Sequence, residues 1–123
     1  MAQIRTTYVI DDDDAVRDSV ATLLELNGFV VRAYASCTLF LRAVRLEENS
    51  CVVVDLEMPE MTGLQLLGQL RRDGIEIQAI VMTAAMDDGK IRAAVDRAGA
   101  VLLEKPFDAG ELVRCVNVVL SHK

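Results

Sequence analysis

The stretch that most constrains the fold is residues 51–63, CVVVDLEMPEMTG. Cys51, Val52, Val53 and Val54 form an apolar run without alternation, too short for a helix. Such a run predicts a strand covered on both faces, as in a parallel sheet flanked by helices. Asp55 ends it, and Pro59 and Gly63 then force a turn and a new element. Asp55 therefore stands at the carboxyl end of a central strand. In an open α/β sheet that edge is where ligands bind. A plainer role is equally open to it, namely ending the strand or capping the next element.

A second acidic stretch has the same setting. Residues 7–10 (TYVI) are β-prone and run into Asp11, Asp12, Asp13 and Asp14. From there Val16, Val20, Leu23 and Leu24 recur with helical spacing as far as Asn27-Gly28. Asp13 and Asp14 suit the cap and first turn of that helix. Asp11 and Asp12 have no such explanation. They place like charges directly after a buried strand, which a cation between them would relieve, so they are candidate metal ligands.

The remaining chain repeats the alternation. Residues 29–34 (FVVRAY) predict a strand near a sheet edge, and Ser36 can cap a helix that turns Leu39, Phe40, Ala43 and Val44 inward. A third helix carries Leu66, Leu67 and Leu70 and stops at Asp73-Gly74. Residues 77–82 predict a buried strand ending in Thr83. Asp87-Asp88 can cap a helix with Ile91, Ala94, Val95 and Ala98 inward, closed by Gly99. Residues 100–103 predict a short fifth strand, ending in Glu104-Lys105-Pro106. Asp108 and Glu111 have capping-box spacing, ahead of a helix that buries Leu112, Val116, Val119 and Leu120. Five strands alternating with five helices through short connections predict an α/β fold. Its doubly wound parallel sheet has the order 2-1-3-4-5, in one domain over residues 1–123.

Composition narrows the function. A net charge of −6 argues against direct nucleic-acid binding, which needs a basic footprint. No run approaches the roughly 20 apolar residues of a membrane span, so a cytoplasmic location is expected. Cys37, Cys51 and Cys115 are scattered without metal-binding spacing and read as reduced packing thiols. The sole histidine, His122, lies in the C-terminal tail and reads as solvated, so the chemistry must proceed without imidazole.

At the strand ends stand Asp11 and Asp12, Asp55, Thr83 and Lys105. Three carboxylates, a hydroxyl and an ammonium on one sheet edge suit phosphoryl transfer. A carboxylate can act as nucleophile toward phosphorus. Carboxylates, with waters and substrate phosphate, hold Mg²⁺. An ammonium and a hydroxyl can stabilise the equatorial oxygens. The chain lacks the Gly-rich loop that a nucleotide or flavin site places after the first strand.

The motifs YVIDDDDAVR, VVVDLEMPEMTGLQLL, IVMTA and LEKPFD, in this order, make the chain resemble a response-regulator receiver domain of two-component signalling. It is similar in particular to receivers of the FixJ type, and the resemblance runs from about Thr6 to Leu120. It implies that Asp55 accepts a phosphoryl group from a histidine kinase or phosphotransfer protein in a Mg²⁺-dependent reaction. Asp12 and Asp55 would hold Mg²⁺ directly, Asp11 mainly through water and Glu57 through its backbone carbonyl. Thr83 and Lys105 would bind the phosphoryl oxygens, with a cis Lys105-Pro106 bond. Phosphorylation would switch a surface near helix four, strand five and helix five, toward an output domain, an effector or a second copy. One departure falls at Leu102, where the family usually has a switching aromatic or histidine ring. Two other readings stay open: a receiver-fold interaction module with weakened switching, and an aspartyl-nucleophile phosphatase. The second would need a substrate-enclosing insertion, which the short connections do not supply.

Overall fold

The computed structural model describes residues 6–43, 50–84 and 89–121. The five apolar runs form strands β1 (Thr6–Ile10), β2 (Val30–Tyr34), β3 (Ser50–Asp55), β4 (Gln78–Thr83) and β5 (Val101–Glu104). Between and after them lie α1 (Asp14–Leu26), α2 (Cys37–Ala43), α3 (Gly63–Arg72), α4 (Lys90–Arg97) and α5 (Ala109–Ser121). All strands are parallel, in the order β2-β1-β3-β4-β5. Chain order reverses between β1 and β3, so the loops after these two strands face each other across the crevice.

Every residue of β1 and β3 is buried, the expectation for strands covered on both faces, whereas edge strand β2 is mixed. Alternation along each strand divides the core into two layers. Tyr8, Ile10, Val52, Val54 and Val81 pack with Phe40, Leu66, Leu70 and Val95 on the side of α2, α3 and α4. Val9, Val53, Ile80 and Met82 pack with Val20, Leu24, Leu112 and Val116 on the side of α1 and α5. Phe40 meets Tyr8 and Tyr34 edge-on, with ring centroids 5.4 and 5.6 Å apart.

The helix ends follow their capping chemistry. Asp13 accepts from the Ala15 and Val16 amides at 2.9 and 3.1 Å, and Ser36 accepts from Leu39 at 3.1 Å. Asp108 and Glu111 form the expected box, at 2.8 and 3.3 Å. A second box, Thr62 with Gln65, opens α3 at 3.1 and 2.9 Å and has no counterpart among the sequence-based expectations. The inward face of α2 needs correction. Leu39 is 49% exposed and Ala43 is exposed, because the buried stripe is phased on Cys37, Phe40 and Leu41. That i, i+3, i+4 stripe begins at a cysteine, a residue outside the face expected from the sequence. The roles expected of Val44, Asp87, Asp88 and His122 fall on residues outside those described.

All three cysteines are free, with Cys37 and Cys51 buried and Cys115 half-buried. Burial pushes the Cys37 thiol up to about 11 and the Cys51 thiol up to about 12. At pH 8 the native domain is therefore expected to react with iodoacetamide at Cys115 well before the other two. Peptide mapping after brief exposure measures the order, and equal labelling of Cys51 would contradict its burial.

Candidate functional site

Each site residue is delivered by the end of a strand. Asp11 follows β1, and its amide donates to the carbonyl of Tyr34 at the end of β2 at 3.2 Å. Asp55 is the last residue of β3 and 7% exposed, while Asp11 is fully buried. Carboxylate oxygens of Asp11, Asp12 and Asp55 lie within 4.8 Å of one another. Lys105, just beyond β5, places Nζ 3.4 Å from Asp11 Oδ2 and 3.3 Å from Asp55 Oδ1. Charge-assisted hydrogen bonds usually run to about 2.7–2.9 Å, so this ammonium is shared between two acids and committed to neither. The Lys105 amide donates to the Thr83 carbonyl at 2.8 Å, tying the ends of β4 and β5 together. Thr83 is buried at the end of β4, and Lys105-Pro106 is a cis peptide.

The electrostatics follow from this crowding. Burial raises the Asp55 carboxyl above its usual range, and the negative charges of Asp11 and Asp12 add to the rise. Lys105 opposes them without cancelling them. Burial works to lower the Lys105 ammonium, but the combined pull of Asp11 and Asp55 outweighs it, and the net direction is upward. Three acids against one amine leave the cluster short of positive charge. The donor set is all hard carboxylate oxygen, without thiolate or imidazole, and fits Mg²⁺.

The four consecutive aspartates divide into separate roles. Asp11 bonds Lys105 and accepts from the Asp13 amide at 2.9 Å. Asp13 caps α1, and Asp14 pairs with Arg17 at 2.5 Å. Asp12 is exposed, and its carboxylate bonds no described side chain, although it belongs to the acid cluster. Glu57 is exposed, and its carboxylate is not one of the cluster.

Two neighbours bear on the site in ways the sequence does not show. Gly63 opens α3 so close to β3 that a Cβ there would lie 3.0 Å from the Asp55 carbonyl oxygen and 3.1 Å from Val54 Cγ1. Arg17 reaches back from α1 to the Asp11 carbonyl at 2.8 Å. Its i+3 spacing from Asp14 is the available signal.

Residues 7–117 match the family model described as the response regulator receiver domain. The chain belongs to that family. This receiver is 39% identical over 122 residues to the transcriptional regulatory protein FixJ of Azorhizobium caulinodans, covering 99% of this chain and 58% of that protein. It is 36% identical to FixJ of Rhizobium meliloti, covering 95% of this chain and 57% of that one. The receiver thus spans little more than half the length of these curated relatives. Among solved structures it resembles FixJ-N, with a TM-score of 0.86 and 33% identity over 99% of this chain and 98% of that one. The response regulator StyR gives the same TM-score at 34% identity, covering 97% of this chain and 60% of that one. The five-stranded 2-1-3-4-5 arrangement expected from the sequence is the receiver fold. No helix among the described residues is long and apolar enough to cross a membrane.

Proposed function

We propose that this receiver accepts a phosphoryl group on Asp55 from a histidine kinase or phosphotransfer protein. An Asp55 carboxylate oxygen attacks phosphorus in line with the departing imidazole nitrogen. The P–N bond breaks, its electron pair stays on the imidazole, and that ring takes a proton from water. The observation carrying this reading is the Lys105 ammonium shared between Asp11 and Asp55 at 3.4 and 3.3 Å. A shared ammonium can follow a phosphoryl oxygen arriving on Asp55 while keeping Asp11 as its counter-ion. Thr83, at the neighbouring strand end, supplies a hydroxyl donor to a second oxygen.

Asp12 and Asp55 would hold Mg²⁺ directly, Asp11 through water and Glu57 through its carbonyl. When bound, Mg²⁺ would supply positive charge to the phosphoryl oxygens. On this reading the domain acts as a switch and not as a turnover enzyme. Residues 1–123 are one receiver domain working in the cytoplasm. The phosphorylated surface near α4, β5 and α5 addresses an output domain, an effector or a second copy, without touching nucleic acid itself. Leu102 favours a second reading, weakened switching. It is an aliphatic side chain half-buried against the α3–α4 side of the core, with no polar edge to answer a moving hydroxyl.

The test is to incubate the domain with acetyl phosphate and Mg²⁺, reduce the acyl phosphate with borohydride, and map the modified peptide. Modification at Asp55 that disappears with EDTA is expected. Modification elsewhere, or undiminished without divalent ions, would sink the assignment.

A further inference from the structure

Four aspartates in a row create a problem of direction as well as of charge. Asp11 is buried and doubly held, but Asp12 is exposed and its carboxylate bonds no described side chain. Among the described residues, it is the backbone that aims it at an ion. The peptide between Asp11 and Asp12 is gripped from α1, where Arg17 Nη1 donates to the Asp11 carbonyl at 2.8 Å. The other arm of the guanidinium, Nη2, donates to Asp14 Oδ1 at 2.5 Å. The Arg17 side chain is 17% exposed and that of Asp14 84% exposed.

We propose that Arg17 is a positioning residue for the divalent site. Its guanidinium fixes the Asp11–Asp12 peptide so that the Asp12 carboxylate meets the ion, and Asp14 holds the guanidinium in place. This inference rests on the reading of Asp12 as a metal ligand. A planar fork can grip a carbonyl and a carboxylate in two fixed directions at once, which an ammonium on a flexible stem does poorly. Partners that orient a ligand, without touching the metal, typically contribute about 10–100-fold to affinity.

Charge alone makes the opposite prediction. Arg17 is a cation beside a cation site, so removing it would tighten Mg²⁺ binding if its role were only electrostatic. The sign of the change therefore separates positioning from bystander charge. The ion pair has one highly exposed partner and so adds little to stability.

The experiment titrates Mg²⁺ into the metal-free domain by calorimetry and records thermal unfolding in EDTA alongside. Arg17→Met, which keeps the apolar stem, is expected to raise the Mg²⁺ Kd about tenfold, at the lower end of that range because Lys105 and Tyr34 also hold Asp11. Arg17→Lys keeps the charge and should still weaken binding several-fold. It also serves if Arg17→Met unfolds. Binding equal to or tighter than wild type in the folded Arg17 variants overturns the inference. Asp12→Asn provides the reference. If it binds as wild type does, the metal-ligand reading falls and this inference with it. If Asp12→Asn loses the ion while the Arg17 variants keep it, the inference alone falls.

Discussion

An Asp55→Asn domain is expected to take no phosphoryl group from acetyl phosphate at any Mg²⁺ concentration, yet to outlast wild type on heating in EDTA. The first half follows from chemistry, because a carboxamide oxygen is a far poorer nucleophile toward phosphorus than a carboxylate. The second half follows from crowding. Asp55 shares a small volume with two other acids, and burial together with their charges raises its carboxyl. A group whose folded-state pKa is raised holds its proton to higher pH in the fold than in the unfolded chain. Its destabilising effect is absent below the unfolded value and grows as pH rises through the folded value. Asparagine removes that effect at the loss of one attraction to Lys105. The net gain should be about 1–2 kcal/mol, or roughly 3–8 °C in Tm. Saturating Mg²⁺ should reverse the ranking, since at 100 times Kd it adds about 2.7 kcal/mol to a domain that binds it. Thermal melts across pH 4–8, with EDTA and with Mg²⁺, check each step. A metal-free variant no more stable than wild type would show that the Lys105 attraction outweighs the repulsion.

Gly63→Val should damage the site from behind. The first residue of α3 sits against β3 so tightly that any Cβ meets the Asp55 carbonyl and the Val54 side chain, at 3.0 and 3.1 Å. Both neighbours are buried at the end of a central strand, where main chain cannot slide aside without disturbing its pairing to β4. Overpacking of this kind usually costs about 1–3 kcal/mol. The larger consequence is geometric. Displacing a reacting group by about 1 Å can cost about 100-fold in rate, so even a shift of tenths of an ångström should slow phosphoryl uptake several-fold. Alanine should show the same slowing in milder form, since its better helix propensity offsets part of the clash. Initial labelling rates measured beside Tm decide the matter. A valine variant with wild-type rate and Tm would mean that the close approach of α3 does not hold Asp55.

The strand ends are legible in the sequence because their signals are local. An uninterrupted apolar run that ends in a carboxylate, as at Val52–Val53–Val54–Asp55, states both burial and position at once. Asp11 and Asp12 stand out for the same reason, as acids without a capping duty. What stays hidden is set by tertiary approach. The phase of α2 depends on Cys37 lying inward, and a cysteine carries little periodic signal of its own. Gly63 looks like an ordinary turn residue, because the demand for hydrogen at that position comes from Val54 and Asp55 across the loop. Arg17 reads as a surface charge on α1, since its contact runs backward to a carbonyl that no side-chain pattern reports.

One consequence belongs to synthesis. The ammonium joining the two buried acids lies 94 residues downstream of Asp11 and 50 downstream of Asp55. A polypeptide still emerging from the ribosome thus exposes its aspartates long before Lys105 arrives to balance them. Until β5 docks on β4, the nascent molecule holds these acids without their ammonium, so on the proposed reading it should not yet take up a phosphoryl group.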